Sequence, residues 1–487
     1  MNKPIRTMAI ACMVLFMALL VNSTYLQYIR ADELNSHNTN KRVRDAEFSR
    51  ERGAILVRGT SVAESVPVDT QFKFQRRYPQ PVKYAHLTGY YSYTYGRNAV
   101  ELTQNEILSG SDPRLFVNRV VDMFGNSQPK GGDVSLTIQP QAQNAAFEGM
   151  AALGQNVKGA VVALDPSTGA ILAMVSSPSY NPNAPSSHKL STISEAWKRL
   201  NSDPDRPMNN RAIQEVLPPG STFKLVTAAA ALESGQYTPD SMVPGGARLD
   251  LPQTETDLPN DGGGDCGGER VTLTQALMVS CNVSFGYLGM ELGGDALREQ
   301  AEKFGFGDQY LDDLNRQAES RFPEDPDEPQ SALSGIGQFD VAATPLQMAM
   351  VTAGIANGGT VMKPYLVDEV RSPNLDVLDK ANPEPYRNAV SSSVARDLTQ
   401  MMIEVVDRGT GATGQIPGIK VAGKTGTAQS SADRPPYAWF VSFAPADDPQ
   451  VAVAVLVEDA GVERDAISGS GLAAPIAKSV MEAVINR

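Results

Sequence analysis

Ser221 and Lys224 lie three residues apart, behind Pro218-Pro219-Gly220 and at the head of the run Phe223-Lys224-Leu225-Val226-Thr227-Ala228-Ala229-Ala230-Ala231-Leu232-Glu233. The prolines and the glycine break the preceding chain, the run is made of good helix formers, and Gly235 supplies a stop. At that spacing the hydroxyl and the amine share one helix face. Apolar flanks bury the ammonium in part, and desolvation lowers a lysine's pKa, so Lys224 is a candidate base for the Ser221 hydroxyl. A serine that opens a helix also leaves its backbone N–H free to face a developing oxyanion. The same Ser-x-x-Lys pattern occurs at Ser127/Lys130 and Ser186/Lys189, in polar stretches flanked by Pro, Gly or Ser, with no helix behind them. Those two copies read as solvated loop.

Two further groups complete a set. Ser280-Cys281-Asn282 falls at a break between two expected helices, and Lys424-Thr425-Gly426-Thr427 ends the apolar strand Ile419-Lys420-Val421-Ala422-Gly423. Acyl transfer to a serine needs a nucleophile, a base, a proton route to the leaving amine, an oxyanion hole and a clamp for the substrate carboxylate. Ser221 is the candidate nucleophile and Lys224 the base, kept neutral with help from the like charge of Lys424. Ser280 would relay a proton to the leaving group. The Asn282 amide would hold the substrate's peptide group. A strand carrying Lys424 can pair with an extended substrate backbone. Thr425 and Thr427, on either side of Gly426, would bind a carboxylate beside that ammonium. The backbone N–H groups of Ser221 and Thr427 would form the oxyanion hole.

The elements needed to hold these groups are legible nearby. Gly159–Leu164 and Ala170–Val175 are apolar strands joined by the turn residues Asp165-Pro166-Ser167-Thr168-Gly169, a hairpin that starts a buried sheet. Lys420–Thr427, Ala438–Ala444 and Val451–Val457 are three more strand candidates. Helices are expected over Gln139–Leu153, Thr272–Leu292, Thr344–Ile355, Ser392–Val406 and from Leu472, the second opened by the capping-box pattern of Thr272 and Gln275. Residues 178–210, rich in Pro, Asn and Ser, read as surface loop, and 245–270 as an exposed Gly- and Asp-rich stretch. Helices set between strand pairs point to an α/β sheet flanked by helices.

Before residue 156 the chain has a different character. Lys3 and Arg6 precede an uncharged, largely apolar span to Ile29, about long enough to cross a bilayer. Positive charge ahead of it predicts a cytoplasmic N-terminus with the rest outside. An uncleaved anchor over 1–30 is expected, although Val21-Asn22-Ser23 weakly resembles a cleavage site. Residues 31–155 form a mixed N-terminal module. It has short strands at Arg52–Gly59 and Gly132–Ile138, a helical pattern at Leu115–Phe124, and a tyrosine run from Tyr90 to Tyr95 that suits packing better than a sugar platform. The 487 residues allow two or three domains, and a net charge of −13 argues against nucleic acid as a partner. His37, His86 and His188 have no catalytic surroundings, so neither a Ser-His-Asp triad nor a metal site is supported. Cys266 and Cys281 flank one expected helix and are a candidate disulfide if the domain lies outside the cytoplasm.

Ser-x-x-Lys, Ser-x-Asn and Lys-Thr-Gly in this order form the signature shared by penicillin-binding proteins and serine β-lactamases. The chain resembles a class B penicillin-binding protein, and most closely the short actinobacterial A type. Gly159–Met174 is similar to the segment that opens such transpeptidase domains. Gly335-Ile336-Gly337-Gln338 with Thr344–Ala349, and Tyr437–Phe440 with Phe443-Ala444-Pro445, resemble two further family blocks. Residues 52–59 resemble the first motif of the class B N-terminal module. Nothing resembles a glycosyltransferase domain or C-terminal PASTA repeats.

The resemblance implies a serine β-lactamase-like domain over 156–487, with a central antiparallel sheet flanked by helices, on a 31–155 pedestal or dimerisation module. It implies a D,D-transpeptidase without cofactor that cross-links peptidoglycan stem peptides. Such an enzyme attacks D-Ala-D-Ala, passes the acyl group to a neighbouring strand's amine, and is acylated by β-lactams. It further implies a single-pass membrane protein working with a SEDS-family glycan polymerase. One departure is Cys281 where the family has Asp; its side chain should point away from Ser280 and Asn282, and Cys266 would tie the loop down instead. The motifs alone do not separate a transpeptidase from a D,D-carboxypeptidase or β-lactamase, or from a membrane-bound β-lactam sensor or scaffold. The long N-terminal module and the anchor favour the transpeptidase.

Overall fold

The computed structural model describes residues 3–36, 41–115, 130–154, 157–429 and 434–486. Most of the helix expected over 115–124, together with His37 and Ser127, lies outside them. Helix α1 (Lys3–Thr24) continues through a short π-helical turn (Tyr25–Ile29), and no side chain of α1 is buried. An apolar helix of 27 residues with no protein around it is long enough to span a bilayer.

After α2 (Lys41–Phe48), the strands β1 (Ile55–Val57), β2 (Thr60–Pro67) and β3 (Phe74–Arg77) lead to α3 (Pro81–Thr88) and β4 (Asp133–Leu136). The tyrosine run packs as expected. Tyr91 stacks on Phe48 at 4.2 Å, and Tyr95 stacks on Trp197 at 4.1 Å. Glu101, fully buried, accepts from Arg52 and Arg76, each at 2.6 Å. A carboxylate buried this deeply needs such paired, hydrogen-bonded cations.

Helix α4 (Pro140–Ala152) precedes the hairpin β5 (Lys158–Leu164) and β6 (Ile171–Ser177), which pair antiparallel as the turn chemistry requires. The stretch expected as loop contains α5 (Leu190–Ser202), of 13 residues. Ile193, Ala196, Trp197 and Leu200 recur at i, i+3, i+4 and i+7, a helical stripe hidden among Ser and Lys. Ser186 is likewise not solvated. It is buried, its hydroxyl accepting from the Tyr91 N–H and its carbonyl from Gln75 Nε2.

Helix α6 (Lys224–Glu233) is buried from Lys224 to Leu232, so it is an axis of the fold rather than a surface helix. Then come α7 (Leu273–Met278), α8 (Asn282–Lys303, interrupted at Gly293), α9 (Pro345–Ala356), β7 (Val367–Arg371), β8 (Val377–Lys380) and α10 (Ser392–Asp407). The chain closes with β9 (Ala422–Ala428), β10 (Tyr437–Ala444), β11 (Val451–Asp459) and α11 (Ala474–Ile485).

Two sheets organise these elements. Five strands in the order β9-β10-β11-β5-β6, all antiparallel, form the central sheet. Alternation along the strands sends Val161, Ala163, Val453 and Val455 to one face, with Ala146 of α4 and Val480 of α11. Val162, Ala454 and Leu456 go to the other face, with Val351 of α9 and the α6 core. The second sheet runs β8-β7-β4-β1-β2-β3. Its strands β7 and β8 come from residues 367–380, so it is built from both sides of residue 155. Neither strand stood out in the sequence, because both are short and mostly charged.

Candidate active site

Gly220–Thr222 forms one 3-10 turn that feeds directly into α6, with Ser221 at its centre, 6% exposed. Gly220 has φ +52°, a conformation that favours glycine, and a Cβ there would lie 2.9 Å from Thr427 O and from Ala428 Cα. The serine turn therefore abuts β9, the edge strand of the central sheet. Among the described residues the Ser221 hydroxyl has no hydrogen-bond partner.

The second motif sits where α7 ends. Thr272 caps α7 by accepting from the Gln275 N–H at 3.1 Å, while the Gln275 side chain turns to the Cys266 carbonyl instead of closing the capping box. Ser280 then takes φ +62°, a left-handed conformation costly for a non-glycine residue, and Asn282 opens α8. Cys281 is joined to Cys266 by a disulfide.

The two lysines converge on this turn, and both are completely buried. Lys224 Nζ donates to Ser280 O at 2.7 Å and to Asn282 Oδ1 at 2.7 Å, and lies 3.3 Å from Ser280 Oγ. Lys424 Nζ donates to Ser280 Oγ and to Thr425 O, both at 2.9 Å. The two short Lys224 bonds end on carbonyl oxygens, which only accept. A neutral amine meets both with its N–H groups and keeps its lone pair for a hydroxyl.

The surroundings favour the neutral amine. Burial holds Lys224 well below the ordinary lysine value, the Lys424 charge lowers it further, and Asp261 opposes both. Burial pushes Lys424 down to about 7, again against Asp261. Of the pair, Lys224 is thus the group that gives up its proton first, and Lys424 holds its proton longer.

The sequence did not single out the loop around Asp261. Asn260 is 9% exposed, and its Oδ1 accepts from the Val283 N–H at 3.0 Å while its Nδ2 donates to Gly246 O and Gly264 O, both at 2.9 Å. Pro259 O accepts from Asn282 Nδ2 at 3.1 Å. With the disulfide, these bonds pin the 259–266 loop to the second motif and carry Asp261 to the lysines. A Gly- and Asp-rich stretch gives no periodic signal, so it reads only as exposed.

All eight residues singled out for the site, Ser221, Lys224, Ser280, Asn282, Lys424, Thr425, Gly426 and Thr427, come from one serine turn, one helix junction and one edge strand that meet. A Cβ on Gly426 would approach Thr222 Cγ2 to 2.9 Å and Pro219 O to 3.1 Å. The arrangement can activate a hydroxyl, pass a proton through Ser280 and hold an anion beside Lys424.

Residues 159–482 match the penicillin-binding protein transpeptidase domain, and residues 52–134 the penicillin-binding protein A dimerisation domain. The chain is 44% identical over 494 residues to the peptidoglycan D,D-transpeptidase PbpA of Mycolicibacterium smegmatis, spanning 100% of this chain and 99% of the relative. It is 44% identical over 491 residues to PbpA of Mycobacterium tuberculosis, with the same coverage. A ceftriaxone acyl-enzyme complex of penicillin-binding protein A from M. tuberculosis superposes with a TM-score of 0.86 at 44% identity, covering 91% of this chain and 100% of the other.

Proposed function

The chain belongs to the class B penicillin-binding transpeptidases, and from that premise we propose that Ser221 carries the acyl group in its reaction. The protein is a peptidoglycan D,D-transpeptidase that β-lactams acylate. Ser221 Oγ attacks the carbonyl carbon of the D-Ala-D-Ala amide, and its proton passes to Lys224 Nζ. The tetrahedral oxyanion is met by the N–H groups of Ser221 and Thr427. Collapse breaks the C–N bond, and D-Ala leaves as its nitrogen takes a proton through Ser280. The acceptor amine then attacks the ester and regenerates Ser221. Asn282 holds Lys224 and faces the peptide, and Lys424, Thr425 and Thr427 receive the donor's terminal carboxylate.

The observation that carries this reading is the Ser280 hydroxyl, 2.9 Å from Lys424 Nζ and 3.3 Å from Lys224 Nζ. One hydroxyl bridging two amines of unequal proton affinity is a proton route. The test is to incubate the protein with a D-Ala-D-Ala peptide thioester and a D-amino acid acceptor. Aminolysis product with little hydrolysis is expected; hydrolysis alone would mean a carboxypeptidase-type enzyme on the same site.

The finer organisation follows the same family. The apolar helix anchors the chain once in the membrane, residues 31–155 form a pedestal, and residues 156–487 work outside the cytoplasm beside a SEDS-family glycan polymerase. An apolar span preceded by Lys3 and Arg6 supports that orientation. Added protease should digest the catalytic domain of intact spheroplasts; protection until lysis would reverse the orientation.

A further inference from the structure

Thr410 lies outside the three motifs, yet its hydroxyl is 2.6 Å from that of Thr425. It sits in the turn Gly409-Thr410-Gly411 that follows α10. The turn is fixed from two sides. The Thr410 N–H donates to Met278 O at the end of α7 at 3.3 Å, and the Gly411 N–H donates to Val405 O at 2.9 Å. A Cβ on Gly409 would come within 2.4 Å of Met278 O, so the approach is close. Thr410 is exposed, whereas Thr425 is 8% exposed. The turn after α10, held against the end of α7, therefore presents one hydroxyl to the strand that carries Lys424.

In a pair of hydroxyls one O–H lies in the shared bond and the other remains available. Thr425 uses its carbonyl to accept from Lys424 Nζ, which leaves its side chain to be oriented by a separate contact. We propose that Thr410 is a positioning residue for carboxylate recognition. Its hydroxyl donates to Thr425 Oγ1, and the Thr425 O–H is thereby aimed at the terminal carboxylate of the donor peptide or the ring carboxylate of a β-lactam. This rests on the transpeptidase reading above. A hydrogen bond to a charged acceptor is stronger than one to a neutral group, so misdirecting it weakens binding of the anion more than it slows the chemical step.

The test compares the full-length protein with Thr410→Val, Thr410→Ala and Thr410→Ser, using benzylpenicillin and its uncharged methyl ester, with adduct formation followed by intact mass. Thr410→Val and Thr410→Ala should raise the half-saturating benzylpenicillin concentration about tenfold, with the limiting acylation rate near wild type. Thr410→Ser should restore binding, and the slow reaction with the ester should not change. Wild-type saturation in Thr410→Val, or an equal loss with both compounds that Thr410→Ser does not rescue, would overturn the proposal. A wild-type protein that forms no adduct would instead refute the transpeptidase site itself.

Discussion

Ser280 Oγ accepts from Lys424 and faces Lys224, so the proton states of the two amines cannot be independent. Burial, and then the Lys424 charge, depress Lys224, which makes it the group that loses its proton first. Acylation should therefore rise with pH as Lys224 is deprotonated, well below the ordinary lysine range. It should fall again as Lys424 loses the proton that holds a carboxylate, from about 7 upward in the free enzyme. Bound anion favours charged Lys424 and moves the falling limb to higher pH. Removing that charge by Lys424→Gln takes away a cause that lowers Lys224, so the rising limb should shift to higher pH in a stopped-flow acylation profile. A rising limb that stays in place would assign it to another group. The chemistry-bearing residues were legible because their types and spacing are local. Asn260 and Asp261 were not, because tertiary contacts, the disulfide with the Pro259–Asn282 and Asn260–Val283 bonds, bring their loop to the lysines.

At the scale of elements, the site depends on how closely β9 lies against the serine turn. Gly426 has no room for a side chain, with Thr222 Cγ2 2.9 Å and Trp439 Cβ 3.1 Å from where a Cβ would sit. Gly426→Val should push the strand off the turn. A misplacement of around 1 Å can slow a positioned reaction about a hundredfold, so acylation should fall by that order while the circular dichroism stays native. Acylation within about threefold of wild type would mean the turn follows the strand. Most strands and helices flanking the site were readable from apolar runs and turn residues. Helix α5 escaped because its stripe lies among polar residues. Strands β7 and β8 escaped because an edge hairpin with charged side chains carries no alternation, and β4, the partner of β7, lies more than two hundred residues away in the chain.

For the whole molecule, the hub of the N-terminal module is Glu101 between Arg52 and Arg76. Burial alone would raise the Glu101 carboxyl, but the two guanidiniums outweigh it and hold the group below its ordinary 4.5. The stability this gives is present above that ordinary value and is lost as pH falls through the lower folded value. Glu101→Ala would leave two buried cations without their carboxylate and should destabilise the fold by about 3–5 kcal/mol, read from urea denaturation. A loss under about 1 kcal/mol would mean water reaches the cluster. Deleting residues 1–30 should move the protein to the soluble fraction with acylation intact, because none of that helix packs on the body. Persistent membrane association would reveal a second contact surface. The apolar N-terminal helix was visible in composition, whereas the sharing of one sheet between early and late chain was not.

The central claim is that Ser221 is the residue acylated. Intact-mass spectrometry of the protein and of Ser221→Ala, each mixed with benzylpenicillin and followed over hours, tests it most directly. One persistent adduct that maps to Ser221, and none in the variant, is the predicted result. An adduct on the Ser221→Ala protein at another serine would contradict the site.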